Sequence, residues 1–150
     1  MVDWRREIEV QKETTMTFED LKAWQQARQI VKRIYDLTRQ SQLTKDFGLS
    51  GQIQRAGVSI MSNVPEGFER LHIQEKLQFY NVARGPSAEM RSLLYVVEDN
   101  FPSVKTEGVQ LREEVVSAGK LVTGLIESTE SMKAKRSGLL SSIFHLLSPC

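Results

Sequence analysis

Gln52, Arg55, Ser59, Asn63, Glu66 and Arg70 recur at three- and four-residue steps, which sets them in one row on a helix. At about 100° per residue they share a sector roughly 80° wide. Two amides, a hydroxyl, two guanidinium groups and a carboxylate offer donors and acceptors of fixed shape, the chemistry of hydrogen-bonded recognition. A second set, Lys22, Arg28, Lys32, Arg33 and Arg39, stands in a single earlier stretch with few acids and offers contacts to phosphate.

Reactive chemistry finds little support. Glu69-Arg-Leu-His72 matches the Glu-x-x-His spacing by which helical bundles hold paired iron or manganese. That centre needs a second such motif and two more glutamates, whereas His145 has Ser142 in place of the partner acid. There is no phosphate loop, zinc spacing or nucleophile elbow, and the single cysteine, Cys150, is terminal. The sequence therefore predicts no catalytic residue, no metal and no cofactor; the chain is not read as an enzyme.

Both rows need long helices to display them. The 150 residues, with four prolines and no β alternation, divide into four amphipathic stretches. The first, over about 18–40, is apolar at Trp24, Ala27, Val31, Ile34, Tyr35 and Thr38, widened by Leu21, Ile30 and Leu37, with Thr17 and Asp20 placed for a capping box. The second, over 49–70, sets Leu49, Ile53, Ala56, Ile60, Val64 and Phe68 opposite the polar row. The third, over 74–99, and the fourth, over 106–134, carry broader apolar faces. Short links between such helices predict an all-α, antiparallel up-down four-helix bundle over 16–135. Pro65 and Pro86 fall inside it and are expected to kink their helices or end them locally.

Residues 1–15 form a charged N-terminal extension, and 136–150 an amphipathic or disordered tail with Leu139, Leu140, Ile143, Phe144 and Leu147 behind Lys133, Lys135 and Arg136. The tail is expected to dock on its own bundle or a sister subunit, to stay disordered, or to touch a membrane or partner helix. Net charge is only +1, and residues 16–132 hold 14 Lys+Arg against 15 Asp+Glu, so attraction to phosphate is local. Without a membrane-spanning run, a signal-peptide core or a cysteine pair, the sequence suggests a cytoplasmic protein.

The polar row admits two readings. It is a satisfied network within the bundle or between subunits, or it meets nucleic acid or another protein. Glu66 in its midst repels phosphate, which weighs against RNA at that row.

Several segments together point to a known family. Phe18-Glu-Asp-Leu-Lys-Ala-Trp-Gln-Gln-Ala27, Phe47-Gly-Leu, Gln52-Ile-Gln-Arg-Ala56, Ser59-Ile-Met-Ser-Asn63, Glu66-Gly67 and Ala83-Arg-Gly85 resemble the four-helix bundle proteins of the 23S ribosomal RNA intervening-sequence family. The resemblance spans about 16–130 and implies a homo-oligomeric ring, a pentamer, with RNA or a ribonucleoprotein as partner. A related bundle, an accessory subunit of retroelement reverse transcriptases, implies the alternative of a protein-interaction adaptor. The chain departs from the family at Met61, where proline is usual, at Pro65, where alanine is usual, and at Pro86, where serine is usual.

Overall fold

The computed structural model describes residues 16–147; the N-terminal extension and the last three residues, with Cys150, lie outside the described residues. Four helices make the fold: α1 (Lys22–Thr38), α2 (Phe47–Phe68), α3 (Ile73–Asn100) and α4 (Lys105–Leu147). Among the described residues there is no strand. Each helix packs on its neighbours in the chain, α4 closes against α1, and the diagonal pairs barely touch. With links only a few residues long, that closed ring is the predicted antiparallel up-down bundle.

The helix starts show how local chemistry sets the frame. The Thr17 amide donates to Asp20 Oδ2 at 2.8 Å, but the capped element is a 3-10 turn, Phe18–Asp20. Leu21 then adopts an extended conformation and α1 begins at Lys22. Asp46 caps α2, its Oδ1 accepting from the Leu49 amide at 2.9 Å, so α2 starts two residues earlier than its apolar row suggests. Ser50 Oγ donates to the Leu43 carbonyl at 2.9 Å and fastens the 3-10 turn Ser41–Lys45 to α2.

Both prolines lie within unbroken helices, so neither ends its helix. Pro65 sits one turn from the end of α2 and removes the single amide that the Met61 carbonyl would accept from. The carbonyl that Pro86 deprives of a donor belongs to Val82, on an exposed face of α3 that water reaches.

Inside the ring, Ile30, Ile34, Leu43, Ile53, Ile60, Met90, Leu94, Leu111 and Val115 form one cluster, and Leu21, Val64, Leu77, Tyr80, Val122 and Ile126 a second. The predicted apolar row of α2 is buried from Leu49 to Val64, with Phe68 half-buried at its end. Burial also pushes the Tyr80 phenol above its usual value. Close approach requires glycine at two places. A Cβ on Gly67 would stand 2.7 Å from the Tyr80 ring, and one on Gly57 would stand 2.5 Å from Ile34 Cδ1.

Among the described residues one buried side chain is unsatisfied. Ser87 is 5% exposed and its hydroxyl has no partner. An unpaired buried hydroxyl costs about 1–3 kcal/mol, so Ser87→Ala is expected to stabilise the bundle by roughly 1 kcal/mol. The melting temperature should rise by about 2–4 °C. A lower melting temperature would show that this hydroxyl has a partner in solution.

The largest departure from the sequence reading is α4. It does not stop near residue 134 but runs as one helix to Leu147, across the boundary drawn between bundle and tail. Lys133 Nζ, which donates to Gln74 Oε1 at 2.9 Å, marks where the bundle end is left behind.

Candidate functional site

On α1 and its C-cap residue, Arg39, the five basic candidates separate into two sets. Arg28, Lys32 and Arg39 fall within about 40° of one another and span roughly 16 Å of helix, all exposed. The Arg28 guanidinium lies 5.6 Å from the Trp24 ring centroid and that of Arg39 lies 5.7 Å from the Tyr35 ring. Each ring steadies a cation on the surface without neutralising it. Trp24 is itself steadied by Phe18, edge-on at 5.1 Å.

Lys22 and Arg33 lie roughly 100° further round the helix. Arg33 is engaged with α4, paired with Glu114 and donating to Gln110 Oε1 at 3.2 Å. Its charge serves the α1–α4 contact. Lys22 is exposed but stands apart from the aligned three.

The α2 row keeps to the outside of the bundle, half-buried at Ser59 and Asn63 and exposed at Gln52, Arg55 and Glu66, and Arg70, half-buried, stands just past the helix end. Its bonds run along the helix. Asn63 Nδ2 donates to the Ser59 carbonyl at 2.7 Å and to Ser59 Oγ at 3.3 Å. Glu66 pairs with Arg70, whose guanidinium lies 4.6 Å from the Phe79 ring centroid and so ties the row's end to α3. The side chains of Gln52 and Arg55 form no hydrogen bond with any described residue, so the upper half of the row presents free donors to solvent.

Sequence reasoning missed two features between α3 and α4. Glu98, 8% exposed, accepts from Arg112 Nε at 2.7 Å, and Arg112 lies 4.4 Å from the Tyr95 ring centroid. Hydrogen bonding to Glu98 holds the Arg112 guanidinium above its ordinary pKa. Glu98 and Arg112 stand on different helices, so no intrahelical spacing rule singles out this pair. Further along lies an open groove of about 510 Å³, lined among others by Arg84, Ser87, Arg91, Gly119 and Lys120.

The Glu-x-x-His motif is broken across a link. Glu69 follows the end of α2 and His72 precedes α3, so the two do not project from one helix. The His145 side chain lies outside the described residues. Among the described residues no group of three His, Cys, Asp or Glu is placed to hold a metal ion.

A family model described as 23S rRNA-intervening sequence protein matches residues 19–124. The chain belongs to this family. No curated protein matches it. The matched region takes in α1, α2, α3 and the first part of α4, and hence both polar faces. The family region ends before the stretch of α4 that leaves the bundle, so that extension is described by this chain's own residues alone.

Proposed function

We propose that this member of the intervening-sequence family is a non-enzymatic, self-associating scaffold that binds RNA or a ribonucleoprotein in the cytoplasm. The observation that supports it best is the exposed line Arg28, Lys32 and Arg39, interleaved with Trp24 and Tyr35. Cations beside aromatic faces suit a flexible, single-stranded phosphate backbone with stacking bases. Lys22 can extend the contact; Arg33, held by Glu114, supports the helix pair instead.

Self-association falls to the α2 row. Gln52 and Arg55 have donors to spare, while Ser59, Asn63 and Glu66 are pre-ordered by local bonds. A repeated neighbour, in a pentameric ring, would use this row as its contact. Arg55→Ala is then expected to yield a smaller assembly by size-exclusion light scattering, with secondary structure unchanged. A native chain that runs as a monomer would remove the assignment.

The RNA reading is tested by pull-down of the native chain from cells, with sequencing of attached RNA and mass spectrometry of attached proteins. RNA recovered by the native chain, and lost when the three α1 cations become glutamine, supports it. Protein partners alone, such as a reverse transcriptase, with no RNA, would replace it by the adaptor reading.

A further inference from the structure

Beyond Lys133, α4 continues for 14 residues, about 21 Å, away from the bundle. Its bulky side chains are uncovered: Leu139 is 64% exposed, Leu140 69%, Ile143 50% and Leu146 84%. Together with Phe144, also exposed, they fall within about 160° of the helix circumference. The remaining arc carries Ser137, Gly138, Ser141 and Ser142, and the Ser142 hydroxyl is turned back onto the Gly138 carbonyl at 3.0 Å. Residues 131–147 hold Lys133, Lys135 and Arg136 and no acid.

A solvated helix of this length is marginal in water, and its apolar half needs a cover. A second copy's extension is a poor one. A parallel pair would set Lys135 and Arg136 against their own equivalents, and an antiparallel pair would set them against the other copy's apolar end. In either case the extension holds no carboxylate to pair them. Arg136 would also interrupt the apolar seam that descends from Leu125 through Met132 to Leu139 and Ile143. The α3–α4 groove of another copy sets three cations, Arg84, Arg91 and Lys120, against one acid, Glu127, so its net charge disfavours the same cations. An anionic lipid surface satisfies all of these features. It takes the wide apolar face into the acyl boundary, leaves the serine side in water and pairs the basic end with headgroups. No described helix is long and apolar enough to cross a membrane, so the extension would lie in the interface.

We propose that residues 134–147 are an interfacial anchor for an anionic bilayer surface. The proposal does not depend on RNA binding, since it uses none of the α1 or α2 residues. The test is co-sedimentation of the full chain with phosphatidylcholine vesicles, with and without phosphatidylglycerol. Binding is expected to be at least about ten-fold tighter with phosphatidylglycerol and to weaken with salt. The double variant Leu139→Ser/Ile143→Ser should lose about ten-fold or more in vesicle binding, with melting and oligomeric mass unchanged. Lys135→Gln/Arg136→Gln should keep weak binding but lose the preference for the anionic vesicles. Equal or absent binding to both vesicles would overturn the proposal. So would vesicle binding unmoved by the double serine variant, or a serine variant whose main effect is a smaller assembly, which would assign the face to a second copy.

Discussion

Single-stranded RNA should bind the variant Arg28→Gln/Lys32→Gln/Arg39→Gln about 100-fold more weakly than the native chain at ~0.1 M salt. A charge-assisted hydrogen bond to phosphate is worth about 1.5–3 kcal/mol where it is sheltered. At exposed positions such as these roughly 1 kcal/mol each is the fitting figure, about 3 kcal/mol together. That sum corresponds to about two decades of affinity. Three fewer phosphates neutralised on a single strand should also lower the log–log salt slope by about 2. The two changes must appear together, because both report the same contacts. Melting should hardly move, since all three side chains are exposed. Arg33→Gln is the matched control. Its guanidinium is occupied by Glu114 and Gln110, so it should cost at most about 1 kcal/mol of stability and leave RNA affinity within about two-fold. Unchanged binding by the triple variant would remove this face of α1 as the interface. An equal loss in Arg33→Gln would mean that the α1–α4 contact opens on binding.

Gly57→Leu is expected to destabilise the bundle strongly. The position is buried where α1, α2 and α3 meet. Its first added carbon would stand 2.5 Å from Ile34 Cδ1, 3.3 Å from Met90 Cε and 3.5 Å from Val31 Cγ2. Ile34 and Met90 are fully buried in the same cluster and have little room to move aside. Overpacking of this kind costs about 1–3 kcal/mol or more, and three further carbons place it at the upper end. Removing a helix glycine returns up to about 1 kcal/mol. A net loss of roughly 2 kcal/mol should lower the melting temperature by about 4–8 °C. Gly124→Ala separates packing from backbone effects. Nothing stands within 4 Å of a Cβ there, so it should be neutral or stabilising by up to about 1 kcal/mol. A Gly57→Leu protein as stable as the native chain would show that α1 and α3 can spread, and that the bundle is less tightly closed than these distances indicate.

The apolar rows were legible because helical periodicity is a property of neighbouring residues in the chain. Leu49, Ile53, Ala56, Ile60 and Val64 had to share a face whatever they packed against, and the same spacing set the polar row beside it. Four such stretches with short links left little choice but an antiparallel ring. The family, too, could be read from the order and spacing of segments in α1, α2 and α3, and the family match covers those helices. Helix starts were less legible. Asp46 sits outside the apolar pattern and caps α2 through a hydrogen bond that periodicity does not register.

What only the tertiary structure decided concerns pairs distant in the chain. Five cations on one helix look alike in sequence; Arg33 became a structural partner of α4 because Glu114, far along the chain, lies opposite it. Arg28 and Arg39 became exposed cations on aromatic supports for want of any such partner among the described residues. The Glu98–Arg112 pair, the unsatisfied Ser87 hydroxyl and the crowding at Gly57 likewise depend on which helix faces which. Long-range packing assigned these roles, and local sequence holds no record of it. The extension of α4 is the reverse case. Its amphipathic pattern was plain in the residues, but that it leaves the bundle uncovered follows from where the other three helices end.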